Sequence, residues 1–232
     1  MIVNNTVHCT TINKSQLPVF AICLYGSITI EEVKLMNKLF VLMGKSATGK
    51  DTIYQELFRR KDISLEKVIP YTTRPIREGE KNGREYFFCT NEKAEELEKQ
   101  KKIIELRAYE TIYGCWKYFT ADDGQIDLTK GDYLLIGTLD TYRSIRRFFG
   151  KNSVLPIYIE VEDGERLLRA ISRERQGIPK YEEMCRRFLS DAADFSEENL
   201  RECNITRRFI NNCLEDTIEE IVSYIKETGK ET

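Results

Sequence analysis

From residue 38 onward the chain alternates short apolar runs with stretches of helical period. "KLFVLM" (38–43) is an uninterrupted apolar run ending at a glycine-containing loop, the pattern of a strand buried on both faces. "KDTIYQELFRR" then places Ile53, Leu57 and Phe58 on one helical face. "DYLLIGTL" (132–139) and "VLPIYIEV" (154–161) read as two more buried strands. Each runs into a helical stretch, "DTYRSIRRFFG" and "DGERLLRAISRER". "ITRRFIN" and "CLEDTIEEIVSYIKE" close the chain as a further strand–helix unit. This alternation predicts an α/β fold, a parallel sheet with helices on both faces.

The texture changes between Tyr71 and Thr120. "GREYFFCT", "KIIELRAY" and "YGCWKYFT" are short and aromatic or β-branched, and they flank the charged helix "NEKAEELEKQKK". This predicts a small insert of antiparallel strands with one solvated helix, whose aromatics, Trp116 included, pack the insert. The first 35 residues also stand apart, with a single apolar patch from Leu17 to Ile30 interrupted by Tyr25, Gly26, Ser27 and Thr29. The patch is too short for a membrane span and lacks the basic start of a signal peptide. Met1 to Leu35 therefore reads as an extension outside the fold, with Met36 a compact start for the first strand.

Composition narrows the function more by exclusion than by assertion. The net charge of −2, with acids and bases interspersed, gives no global attraction to nucleic acid. Seven cysteines, an odd number with no C-x-x-C pair, argue against a disulfide framework or zinc site and favour a reducing cytoplasm. The single histidine is His8, so no histidine base, nucleophile partner or metal ligand is expected in the folded body.

The chemistry-bearing stretch is "MGKSATGKDTIYQEL". Gly44, Gly49 and Lys50 satisfy G-x-x-x-x-G-K between a strand and a helix, the setting in which backbone N–H groups converge on phosphate oxygens. Lys50 would reach the β- and γ-phosphates. The position after it, usually Ser or Thr, is Asp51; Mg²⁺ prefers hard oxygen donors, so a carboxylate there can take the metal role directly or through water. In "YTTRPIREGEKNGREYFF", Pro75 and Gly79 argue against a helix, which lets Arg74 and Arg77 aim two guanidiniums at one anion, with Tyr86 as a hydroxyl donor.

With these motifs in hand, the chain resembles guanylate kinase. "GKSATGKDT", "TTRPIREGEKNGREYFF", "IIELRAYETIYG" and "INNCLED" follow that family's order, over about 38–225. The resemblance implies a phosphate-loop core (36–70 and 121–230), a nucleoside-monophosphate-binding insert (71–120) and a helical lid near 170–187. It implies phosphorylation of GMP by Mg²⁺·ATP, small-molecule partners rather than nucleic acid or membrane, and a monomer or homodimer in the cytoplasm. On the ATP side it implies Gly44, Lys45, Ser46, Ala47, Thr48, Gly49, Lys50, Asp51 and Thr52, with Asn211 near the adenine. Arg169, Arg173 and Arg187 become the lid arginines that act with Lys50 in catalysis. Arg74, Arg77, Tyr86 and Tyr113 would hold the monophosphate, and Glu105 would accept from guanine N1 and N2.

Three positions depart from the family's pattern. The hydroxyl donor to guanine O6, four residues before the first arginine, is here Pro70, and a second hydroxyl position is Cys115. The acidic "D-I-D" strand end is replaced by "GTLD", leaving Asp140 as the nearby acid. These departures weaken the O6 readout more than they touch the reaction. Two other readings compete: another small-phosphate kinase such as ribose 1,5-bisphosphate phosphokinase, and a non-catalytic guanylate-kinase-like protein-binding module. The retained Lys50, Glu105 and "REGEKNGREY" disfavour both.

Overall fold

The computed structural model describes residues 37–111, 114–176 and 179–229. The extension 1–35 and the expected phosphate contact Tyr113 lie outside the described residues.

Strand β1 (Leu39–Gly44) is buried at every residue because it is the centre of a five-stranded sheet. Its neighbours are β7 (Asp132–Ile136) and β8 (Val154–Glu160), with β2 (Leu65–Lys67) and β9 (Phe209–Ile210) at the edges, and every pairing is parallel. The period of two divides β1 between two cores. Phe40 and Leu42 pack with Ile53 and Leu57 of α1 (Lys50–Arg59) and with Ile221 and Val222 of α7 (Leu214–Thr228). Leu39, Val41 and Met43 pack on the other side with Tyr142 and Ile145 of α3 (Leu139–Phe149) and with Phe195 and Leu200. Helices thus cover both faces, as the alternation of the sequence predicts.

The insert departs from expectation in its pairing. Strands β3 (Tyr71–Thr72), β4 (Phe87–Phe88), β5 (Ile103–Thr111) and β6 (Gly114–Ala121) form one sheet in the order β4-β3-β6-β5. The β5–β6 and β3–β6 pairs are antiparallel, but β3 and β4 are parallel, so the sheet is mixed. One face of this sheet, with Phe119 and Ala121, is closed by Ala94 and Leu97 of α2 (Asn91–Lys99).

Two boundaries also shift. The run at 132–139 is strand only to Ile136, because Thr138 turns to cap α3 by accepting the Thr141 N–H. The segment 205–211 forms only two strand residues. Beyond β8, α4 (Asp163–Glu174) is followed by α5 (Tyr181–Asp194) and α6 (Glu197–Glu202), both of which the periodicity left unread.

Candidate active site

The loop between β1 and α1 is shaped by two close approaches. A Cβ on Gly44 would lie 2.7 Å from the Ile159 carbonyl, and one on Gly49 would lie 2.6 Å from Asn211 Nδ2. Gly49 also adopts φ 86°, a left-handed value that disfavours any side chain. No side chain caps the first turn of α1, so its N–H groups remain open to an anion. Asn211, 4% exposed, donates its amide to the Thr48 carbonyl at 2.8 Å and accepts from Thr217 Oγ1 at 3.4 Å. Its side chain is therefore spent on holding the loop.

Helices α4 and α5 grip the same loop from behind. Arg166 of α4, fully buried, donates to the Ser46 carbonyl at 3.0 Å and to Asp191 of α5 at 3.3 Å, and pairs with Asp163. Asp191 in turn accepts the Ser46 N–H at 2.6 Å. Burial pushes the Asp163 carboxyl up, but hydrogen bonds from Arg166 and Lys45 outweigh it and hold the group below its usual range. Arg169 donates to Glu165 and to the Asn211 carbonyl at 3.3 Å, while Arg173 is exposed and lies with Arg187 at the α4–α5 seam beside Ser46.

A cleft of about 920 Å³ joins the loop to the insert. Lys50 and Asp51 line one side; Pro70, Tyr86, Arg107 and Tyr118 line the insert side, with Thr138 and Arg186 completing the wall. Among the described residues, no hydrogen bond or ion pair engages the side chain of Lys50 or Asp51. A free ammonium beside an uncapped helix terminus is an anion site by construction. Asp51, exposed and unengaged, fits Mg²⁺. That ion binds through one or two carboxylates and fills its remaining positions with water and phosphate, and no group of three or more metal-ligating side chains stands among the described residues. Thr52, also exposed, follows it on the same first turn.

Several sequence expectations are redirected by their neighbours. Arg74 is 4% exposed, and its guanidinium is taken by Glu80 through two bonds of 2.8 and 3.0 Å, with Tyr86 and Phe88 rings beside it. Glu80 is lowered below the usual carboxylate range, chiefly by that hydrogen bond. Arg74 is absent from the cleft wall, while Arg77 is exposed on the same loop. Glu105 is 5% exposed and likewise absent from the wall: Thr120 donates to Oε1 at 3.0 Å, and Arg107 donates to Oε2 at 3.1 Å. Asp140 turns outward to pair with Arg143 at 2.9 Å, and Cys115 sits opposite Glu110 in the hairpin, also outside the wall. The α5 arginine in the cleft is Arg186, held by Glu183 through two bonds of 2.7 and 2.8 Å, while its neighbour Arg187 contacts the same carboxylate at 3.4 Å. Trp116 lines the cleft rather than only packing the insert.

Sequence reasoning passed over Arg107, Tyr118, Thr138 and Arg186. For Arg107 a signal was available. It lies two residues after Glu105 on a strand, and so on the same face.

The guanylate kinase family model matches residues 36–228. The chain is 27% identical over 189 residues to the guanylate kinase of Porphyromonas gingivalis, covering 80% of this chain and 95% of that one. It is 45% identical over 71 residues to that of Streptococcus mutans, covering 31% of this chain and 34% of the relative, and 42% identical over 77 residues to that of Bacillus subtilis, covering 33% and 38%. These last two matches thus span only about a third of the relatives' length. The crystal structure of guanylate kinase from Anaplasma phagocytophilum superposes with a TM-score of 0.57 at 20% identity, covering 86% of this chain and 89% of that one, a likeness of fold. The family match spans nearly the whole described body, and the chain belongs to the guanylate kinase family.

Proposed function

We propose that the chain transfers the γ-phosphoryl group of Mg²⁺·ATP to a nucleoside monophosphate, with GMP the preferred acceptor, yielding ADP and GDP. One observation carries this reading: the unpaired Lys50 and the uncapped N-terminus of α1 open on the same cleft as Tyr86, Arg107 and Tyr118 of the insert. A donor phosphate seated on the loop would therefore face an acceptor held by the insert.

Phosphoryl transfer needs in-line positioning and neutralisation of charge, with little covalent work from the protein. Lys50 would neutralise the β- and γ-oxygens, and the open N–H groups of the first turn of α1 would orient them. Arg169 and Arg173 of α4, with Arg186 and Arg187 of α5, would bring further positive charge as the lid, about 170–187, closes and excludes water. Asp51 would hold Mg²⁺, which supplies charge neutralisation between the donor phosphates. The acceptor is already an anion, so no general base is required, in keeping with a body lacking histidine. Tyr86, Arg77 and Tyr113 would meet the acceptor phosphate, and Arg74, locked to Glu80, would stiffen the loop carrying them. No helix among the described residues is long and apolar enough to cross a membrane. The described cysteines are free thiols, which fits a reducing cytoplasm, where the enzyme would act as monomer or homodimer.

The test is ADP release from Mg²⁺·ATP with a panel of ribo- and deoxynucleoside monophosphates and ribose 1,5-bisphosphate. GMP should give the highest kcat/KM. Turnover of ribose 1,5-bisphosphate alone, or of nothing in the panel, would overturn the reading.

A further inference from the structure

We propose that Arg107 is the residue that reads the base, taking the adjacent O6 and N7 acceptors of a 6-oxopurine with the two terminal nitrogens of its guanidinium. This rests on the nucleoside monophosphate kinase reading above and specifies its acceptor. The argument begins with what Glu105 can no longer do. Its carboxylate is buried, with Oε1 taken by Thr120 and Oε2 shared between Arg107 at 3.1 Å and Thr141 at 3.5 Å. Thr141 comes from α3, so the carboxylate is closed in from the core side as well as from the insert. A base approaching through the cleft would have to displace this network to reach it.

Arg107 stands in front of that carboxylate. Residues 105 and 107 share a face of β5, and across the hairpin Arg107 is registered with Tyr118 while Glu105 is registered with Thr120. The Glu105 bond uses Arg107 Nε, and both Arg107 and Tyr118 line the cleft. The guanidinium is thereby anchored at one nitrogen, with its terminal fork left to the cleft. A guanidinium has donors only. It matches two neighbouring acceptors on one base edge, such as guanine O6 and N7, and meets a donor clash at the 6-amino group of adenine. Pro70, which lines the same wall, brings no side-chain donor to compete for that edge. The Glu105–Arg107 pair therefore converts a buried acceptor into a cleft-facing donor, with Glu105 as a positioning residue.

The prediction separates the 6-oxo edge from the 2-amino group, the feature Glu105 would read if it met the base directly. With the full chain and Mg²⁺·ATP, kcat/KM for GMP and IMP should be similar. Both should exceed AMP and 2-aminopurine ribonucleoside monophosphate by about tenfold to a hundredfold, the range expected of a bidentate contact. Removing N7 on the ligand side, as 7-deaza-GMP, should cost several-fold without altering the protein. Arg107→Met should lower the GMP:AMP ratio at least tenfold, with Arg107→Lys intermediate because a point charge lacks the fork. Binding can be followed separately by fluorescence of Trp116, the single tryptophan of the chain and a lining residue of the cleft. This readout shows whether a variant still folds and binds. If GMP is phosphorylated but 2-aminopurine monophosphate matches it, or the ratio is unchanged in Arg107→Met, this proposal fails and the kinase reading stands. If no monophosphate is phosphorylated or bound, the kinase reading fails and takes this proposal with it.

Discussion

The Asn211 side-chain amide donates to the Thr48 carbonyl at 2.8 Å, tying the last strand–helix unit to the phosphate loop across 163 residues of chain. Both groups are buried, so neither has water as a substitute. Asn211→Ala should leave the Thr48 carbonyl unsatisfied at a cost of about 1–3 kcal/mol. The loss should appear in urea unfolding and, through a looser loop, as a raised KM for ATP with a smaller change in the KM for GMP. A variant equal to the wild type in both would show that the clamp is dispensable.

The Lys50 side chain has no partner among the described residues, whereas Lys45 of the same loop pairs with Asp163 at 3.2 Å. An unpaired ammonium facing a cleft adds nothing to the resting fold and is available to a ligand. Lys50→Ala should therefore cut kcat by at least about a hundredfold, roughly 3 kcal/mol of transition-state stabilisation, while leaving the thermal midpoint within a degree or two. Undiminished turnover would remove the loop from the mechanism.

Alkaline pH should unfold the protein through one buried and one half-buried phenol. Burial pushes Tyr54 and Tyr158 up to about 12, from an ordinary value near 10. A raised folded-state value means that the unfolded chain ionises first. The stability from keeping these phenols neutral is thus complete below pH about 10 and is lost as pH rises toward 12. Phenolate absorbance should show a late-titrating set that appears together with loss of helical circular dichroism. Tyr158→Phe should shift that transition to higher pH.

A chain beginning at Met36 should turn over GMP as the full chain does, because β1 and every described wall of the cleft lie after it. Denaturant unfolding of the two chains checks this. A loss above about 1 kcal/mol, a sizeable part of a typical domain's margin, would mean that residues 1–35 contribute to the body.

Much of the fold was legible because its signals are local. The apolar run 38–43 could only be a strand covered on both sides, and the structure buries every residue of Leu39–Gly44. The glycines at 44 and 49 marked a phosphate-binding turn in the sequence; that Ile159 and Asn211 also pack against them is seen only in the fold. The parallel β3–β4 pair was not legible. A run of two residues carries no direction, and the connection between them, residues 73–86, holds no helix and no strand.

The candidate site divides along the same line. Residue type, spacing and helix or strand phase placed Lys50, Asp51 and Tyr86 at the cleft before any coordinates. They could not say which charged groups would reach it free. Arg74 and Glu105 carry the expected chemistry, yet Glu80 holds one, and Arg107, Thr120 and Thr141 close in the other. Adjacent arginines at 186 and 187 are equivalent in sequence, but only the first lines the cleft, because consecutive helical residues point about 100° apart. Sequence by itself determined the strand–helix alternation of the core, the two-faced sheet and the glycine loop between β1 and α1, since each rests on periodicity or backbone geometry within a few residues. Only the tertiary structure decided which guanidinium and which carboxylate remain unpaired. That depends on side-chain packing: Glu80 and Arg107 lie near their partners in the chain but in loop and strand settings whose side-chain directions the sequence does not fix, and Thr120 and Thr141 reach Glu105 from other elements.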